Sequence, residues 1–145
     1  MPIRYNISPQ LHMVIYICRG LITVDEIFES ADRVFHDQRS TPGSTTILDL
    51  LSAVENIHLN DIYEIIKRIE KYAEKGLALG PIVILSRSNG IHLFVDTLKL
   101  LPSKVPLKIN AYHTIEDAIV SLGLSELQEA VIQFWKESIS FYENS

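Results

Sequence analysis

Apolar and polar positions alternate at the start of the chain. Ile3, Tyr5 and Ile7 stand between polar neighbours, as in a strand with one buried face. Ser8-Pro9-Gln10 signals a tight turn. From Leu11 to Cys18 nearly every position is apolar, which predicts a strand covered on both faces. Together the two stretches predict a hairpin whose first strand is an antiparallel edge, and Gly20 breaks the apolar run. The period then changes. Val24, Ile27, Phe28, Ala31, Val34 and Phe35 recur at helical spacing. They follow Thr23-Val24-Asp25-Glu26, a capping box in which the threonine hydroxyl accepts from the Glu26 amide while Glu26 reaches back to Thr23.

After the loop Gln38-Arg39-Ser40-Thr41-Pro42-Gly43-Ser44, the run Thr45-Thr46-Ile47-Leu48-Asp49-Leu50 predicts a short buried strand that delivers Asp49 to its carboxyl end. A helix is expected from near Asn60, with Ile62, Ile65, Ile66, Ile69 and Ala73 inward and Gly76 in C-cap position. Gly80-Pro81 opens a strand from Ile82 to Leu85, a helix runs from Asn89 to Leu100, and Pro102 closes it. A short strand centred on Leu107 and Ile109 is predicted between Lys104 and Ala111. Thr114 caps a helix carrying Ile115, Ala118, Ile119 and Leu122, which Gly123 stops. Ser125-Glu126-Leu127-Gln128 reads as a second capping box, opening a helix with Leu127, Ala130, Val131, Phe134, Trp135 and Ile139. Repeated strand–helix–strand units imply an α/β fold with parallel strands and right-handed crossovers. One domain over residues 1–145 is expected, with a core at about 3–123 and a C-terminal amphipathic helix at about 125–142.

Composition narrows the function classes. A chain of 145 residues with 47% hydrophobic positions can bury a core without disulfide or metal. Its net charge is −5 and its densest basic stretch is Lys67-Arg68, so nucleic acid is not an expected partner. Cys18 is the only cysteine, which excludes an intrachain disulfide and suits a reducing cytoplasm. No apolar run approaches the roughly 20 residues of a membrane span, and Met1-Pro2-Ile3-Arg4-Tyr5 lacks an apolar signal region. A cytoplasmic protein is the expectation.

The leading Tyr5-x-Ile7 strand, the Gly20-Leu21-Ile22-Thr23 entry to a helix, Leu48-Asp49-Leu50, Gly90-Ile91-His92-Leu93-Phe94 and the ending from Thr114 to Leu122 occur in an informative order. In that order the chain resembles the SpoIIAA-like branch of the STAS superfamily, over roughly residues 3 to 123. That branch also includes sequences described as resembling the lipid-binding SEC14 domain. The resemblance implies a mixed, mostly parallel sheet of four or five strands packed with helices, plus the additional C-terminal helix. STAS antagonist proteins carry a phosphorylatable serine in an Asp-Ser-Ser-Gly segment after the Asp-Leu strand. Here the matching stretch runs from Val54 to Asp61 without serine or glycine, and Ser52 lies upstream. No phosphosite is carried over.

Parallel α/β sheets present binding groups at the carboxyl ends of their strands. The loops expected there hold Arg19, Asp49, His58, Arg87, Ser88 and Tyr112, the candidate ligand-binding set. Ser86-Arg87-Ser88-Asn89-Gly90 opens a helix after a buried strand, so free amides and Arg87 could hold an anion; the favoured reading is that Ser88 or Asn89 simply caps the helix, as at most helix starts. Asp49 could orient a ligand or bond local amides. The five histidines lack zinc-like spacing, and no nucleotide or nucleophile motif is present, so no metal or cofactor is expected. The expected function is a non-catalytic STAS-like module that binds a partner protein or a small amphipathic or anionic ligand. The alternative is a small enzyme using His58 or His113 as general acid or base. Phe134, Trp135, Phe141 and Tyr142 crowd the C-terminal helix, which either packs on its own sheet or forms a homodimer interface.

Overall fold

The computed structural model describes residues 2–144. Five strands form one sheet in the order β1-β2-β3-β4-β5: β1 (Ile3–Ser8), β2 (Met13–Thr23), β3 (Thr45–Asn56), β4 (Ile82–Leu85) and β5 (Ile109–Tyr112). β1 pairs antiparallel with β2, and every later pair is parallel. The connections are α1 (Val24–Phe35), α2 (Ile62–Glu74) and α3 (Asn89–Leu100), and the chain ends in α4 (Ile115–Ser121) and α5 (Gln128–Glu143).

The strand order decides where the helices go. When parallel strands are added in one direction by right-handed crossovers, every connecting helix falls on the same face. Accordingly α1, α2 and α3 share one apolar layer with Val14, Tyr16, Leu48 and Ile84 of the sheet. The opposite face would lie bare without the two helices after β5. There α4 and α5 cover Met13, Ile15, Ile47 and Leu85, contributing Ile115, Ile119, Val131 and Phe134. The C-terminal helix therefore packs on its own sheet and completes it. Among the described residues, no helix is long and apolar enough to cross a membrane.

Several boundaries differ from the sequence expectation. β3 does not stop at Leu50 but continues to Asn56, and β2 does not stop at Cys18 but continues through Gly20 to Thr23. These halves pair with each other from Arg19↔Ser52 to Thr23↔Asn56, beyond the reach of β4, which ends opposite Asp49. Between Ile17↔Asp49 and Arg19↔Ser52 the register shifts, so β3 carries one extra residue. Leu50 belongs to the α1–α3 layer, Leu51 to the α4–α5 layer, and Ala53 to the α1–α3 layer again. Such a bulge bends the strand and reverses the facing of the residues beyond it. β5 begins only at Ile109, leaving Leu107 in the preceding loop.

Caps divide the same way. Thr23 forms its box, with its hydroxyl accepting from the Glu26 amide at 3.3 Å and Glu26 accepting from the Thr23 amide at 3.3 Å. The second box, at Ser125, does not form, because residues 125–127 enter as a 3₁₀ turn and α5 has no side-chain cap. Leu127, expected on the apolar face, is exposed as a result.

Candidate functional site

The α1–α3 layer does not fill the space above the sheet. A cavity of about 160 Å³ remains between them. Its floor is the alternating set Tyr16, Leu48, Leu50 and Ile84, and its roof includes Val34 of α1, Ile69 of α2 and Leu98 of α3. No charged side chain lines it among the described residues. Two tyrosines supply polar atoms. The Tyr72 hydroxyl donates to Asp32 Oδ1 at 2.6 Å and is thereby occupied. Tyr16 is buried on β2, and no described residue bonds its hydroxyl. Burial, reinforced by nearby Tyr72, pushes the Tyr16 phenol well above its ordinary value, so it stays a neutral donor.

Ser40, Thr41, Ser44 and Thr46 gather at one end of the cavity, at the amino end of β3. The Thr41 and Ser44 hydroxyls lie 2.8 Å apart, and Thr41 Oγ1 is 3.2 Å from His12 Nδ1. This loop is tied to the one before β4: the Gly43 amide donates to the Ala78 carbonyl at 3.2 Å. The approach is close enough that a Cβ on Gly80 would fall 2.6 Å from the Ser44 carbonyl oxygen, which explains glycine there.

The residues expected at the carboxyl-end loops are divided by the sheet. On the α5 side, Arg19 pairs with Glu143 at 3.0 Å and lies over the Tyr142 ring at 5.1 Å. Asp49 sits within the 12-residue β3 at 5% exposure, bonding the Leu51 amide at 2.9 Å and Trp135 Nε1 at 2.8 Å. Its oxygens thus serve the local turn and the C-terminal helix. The Tyr112 hydroxyl bonds Ser121 of α4. On the other side, His58 Nε2 bonds Asn56 Oδ1 at 2.8 Å before α2. Ser88 is the N-cap of α3, accepting from the Ile91 amide at 3.3 Å, and Arg87 is exposed beside it. His113 lies against His92 with ring centroids 4.3 Å apart, and His92 Nε2 donates to the Ser86 carbonyl at 2.8 Å. The six candidates do not converge on one pocket.

Sequence reasoning missed the cavity, whose polar groups lie at the amino ends of the strands. Two signals pointed to it. Tyr16 interrupts an otherwise aliphatic run, and the loop at residues 38–44 holds two serines and a threonine beside the strand entrance. Among the described residues, no group of three or more His, Cys, Asp or Glu side chains is placed to hold a metal ion.

No family model matches the sequence, and no curated protein matches it. Among solved structures, the chain is similar to the crystal structure of an uncharacterized protein from the DUF3478 family, with a SpoIIAA-like fold, from Shewanella loihica PV-4. The two are 14% identical with a TM-score of 0.53, over 83% of this chain and 91% of that one. The five-stranded, mostly parallel sheet with its five helices is a SpoIIAA-like fold.

Proposed function

We propose that this protein is a non-catalytic STAS-like binding module whose ligand is a small amphipathic molecule, held in the cavity beneath α1, α2 and α3. The cavity carries this reading. An apolar void of about 150 Å³ in a protein core stays dry and accepts a benzene-sized guest, and the space here is about 160 Å³. At about 0.8 kcal/mol per buried methylene, a six-carbon segment gains about 5 kcal/mol before losses, which corresponds to sub-millimolar binding. The hydroxyls of Ser40, Thr41 and Ser44 suit the polar end of such a molecule, and Tyr16 offers it a donor. The SpoIIAA-like fold is compatible with a role as a binding module.

The test uses 1-hexanol and hexanoate as probes, monitored by methyl NMR. Shifts should appear at Leu48, Leu50, Ile69 and Leu98, and not at Ile15, Ile47 or Val131 across the sheet. Ala31→Leu, which adds carbon to the cavity wall, should abolish the response while keeping the fold. Unmoved cavity methyls at millimolar probe, or an undiminished response in Ala31→Leu, would reject the reading. A native mass spectrum of freshly purified protein should show the natural occupant directly.

A further inference from the structure

The second half of β3 has a neighbour on one side only. Residues 52–56 pair with β2, whereas β4 ends opposite Asp49 and the chain turns away into α3. A groove of about 420 Å³ runs between this open edge and the first turns of α3, lined by Glu55, Ile57 and Leu59 on one wall and Ser88, Gly90 and Leu93 on the other. An unpaired strand edge is a template for another strand, and extended peptides use such edges in β-augmentation.

Two observations specify the occupant. Glu55 Oε1 is shut off from solvent and has no hydrogen-bond partner among the described residues. An unpartnered buried carboxylate oxygen is costly. Because the Glu55 side chain is only half-buried in the groove wall, turning it outward to a cationic donor relieves that cost, with guanidinium the best geometric match. Leu59 and Leu93 stand on opposite walls, 61% and 64% exposed, ready to cover apolar side chains. We propose that the open edge of β3 docks an extended segment of a partner polypeptide that places an arginine or lysine against Glu55 and an apolar residue two positions away between Leu59 and Leu93. Side chains two apart in a strand share a face, so one peptide meets both requirements. The net charge of −5 favours a cationic partner over a second copy of this chain, which would also bring another Glu55 to the same edge. The groove adjoins the cavity of the proposed function and shares Ile57, Ile91 and Phe94 with it, whereas Glu55, Leu59, Ser88 and Leu93 line the groove alone.

The experiment titrates the full chain, labelled for amide NMR, with a capped peptide bearing a central arginine, valine two positions to either side and threonine elsewhere. Its twin has glutamate in place of arginine. The arginine peptide should shift the amides of residues 52–57 and 88–94, and the twin should not. Glu55→Gln should weaken binding by about tenfold or more while leaving the circular dichroism spectrum and the hexanol response unchanged. Leu93→Ser, at an exposed position, should weaken it as well. Equal binding of both peptides, no amide shifts, or unchanged affinity in both variants would overturn the proposal. So would amide shifts in the same groove on raising protein concentration alone, which would assign the edge to a second copy.

Discussion

A single hydrogen bond, from Trp135 Nε1 to Asp49 Oδ2 at 2.8 Å, joins the last helix to the middle of the sheet. Asp49 keeps the Leu51 amide if that bond is lost, but one oxygen of a buried carboxylate is left bare. Trp135→Phe, which retains most of the ring, should therefore cost about 1.5–3 kcal/mol in urea unfolding. A cost near zero would show that water replaces the indole without penalty. Asp37 makes a second prediction at this scale. Hydrogen bonds from the Arg39 guanidinium and amide hold its carboxyl well below the usual carboxylate range, and the Tyr5 hydroxyl adds another at 3.1 Å. A carboxyl whose pKa is lower in the folded than in the unfolded chain favours folding when ionised. That stability is full above about pH 4 and is lost as pH falls towards the depressed value. Asp37→Asn should cost about 1–2 kcal/mol at neutral pH, and the difference should narrow steadily in denaturation series below pH 4. At residue scale the sequence was partly legible. It allowed Asp49 and Ser88 local bonding roles, and both make such bonds. The indole partner of Asp49 lies far along the chain and leaves no trace in local pattern.

Elements were readable where burial repeats with a regular period. The α1 stripe and the α3 bounds come from spacing and caps, because one buried face imposes the helical period on the sequence. The far halves of β2 and β3 were not readable. Leu21 and Val54 are a register pair, 60% and 64% exposed, so this ribbon carries apolar side chains in solvent and Glu55 on its other face. Such a strand has no inside–outside contrast to detect. Its coherence comes from backbone pairing, which any side chain permits. The failed box at Ser125 teaches the converse, since a capping motif needs the helix to begin at its own position. The element with the clearest consequence is α5. It covers fully buried Met13, Ile15 and Ile47 through Val131 and Phe134. Truncation after Gly123 should bare that face, giving a chain that binds an apolar dye and aggregates on sedimentation. A soluble, dye-negative truncation would show that α4 and the sheet can close the gap unaided.

The whole molecule is a sheet with unequal coats, one built from the three crossover helices and the other from the two helices after β5. Element order and the parallel sense of the later strands were legible, since repeated strand–helix–strand units imply parallel strands joined by right-handed crossovers; the order of the strands in the sheet was not. The void beneath α1–α3 was not, because a cavity is the space that side chains fail to fill and no residue encodes it alone. If it takes a ligand, stabilisation obeys mass action: hexanol at ten times its dissociation constant should raise stability by about 1.4 kcal/mol. Amides that exchange by local opening should then slow in α1, α2 and α3 and not in α5, while those that need global unfolding slow throughout. Slowed local opening in α5 as well would point to a non-specific solvent effect. The extra residue near Leu51 and Ser52 sets one further relation across the sheet. Asp49 and Glu55 are an even number of positions apart and in an unbroken strand would look the same way. Here one is held beneath α5 and the other opens beside α3. The insertion works as a phase shift in the chain, giving two acids of one strand opposite addresses. Deleting a single residue there would cancel the shift, sending Glu55 to the side of the C-terminal helix and turning Val54 into the groove, with the downstream sequence untouched.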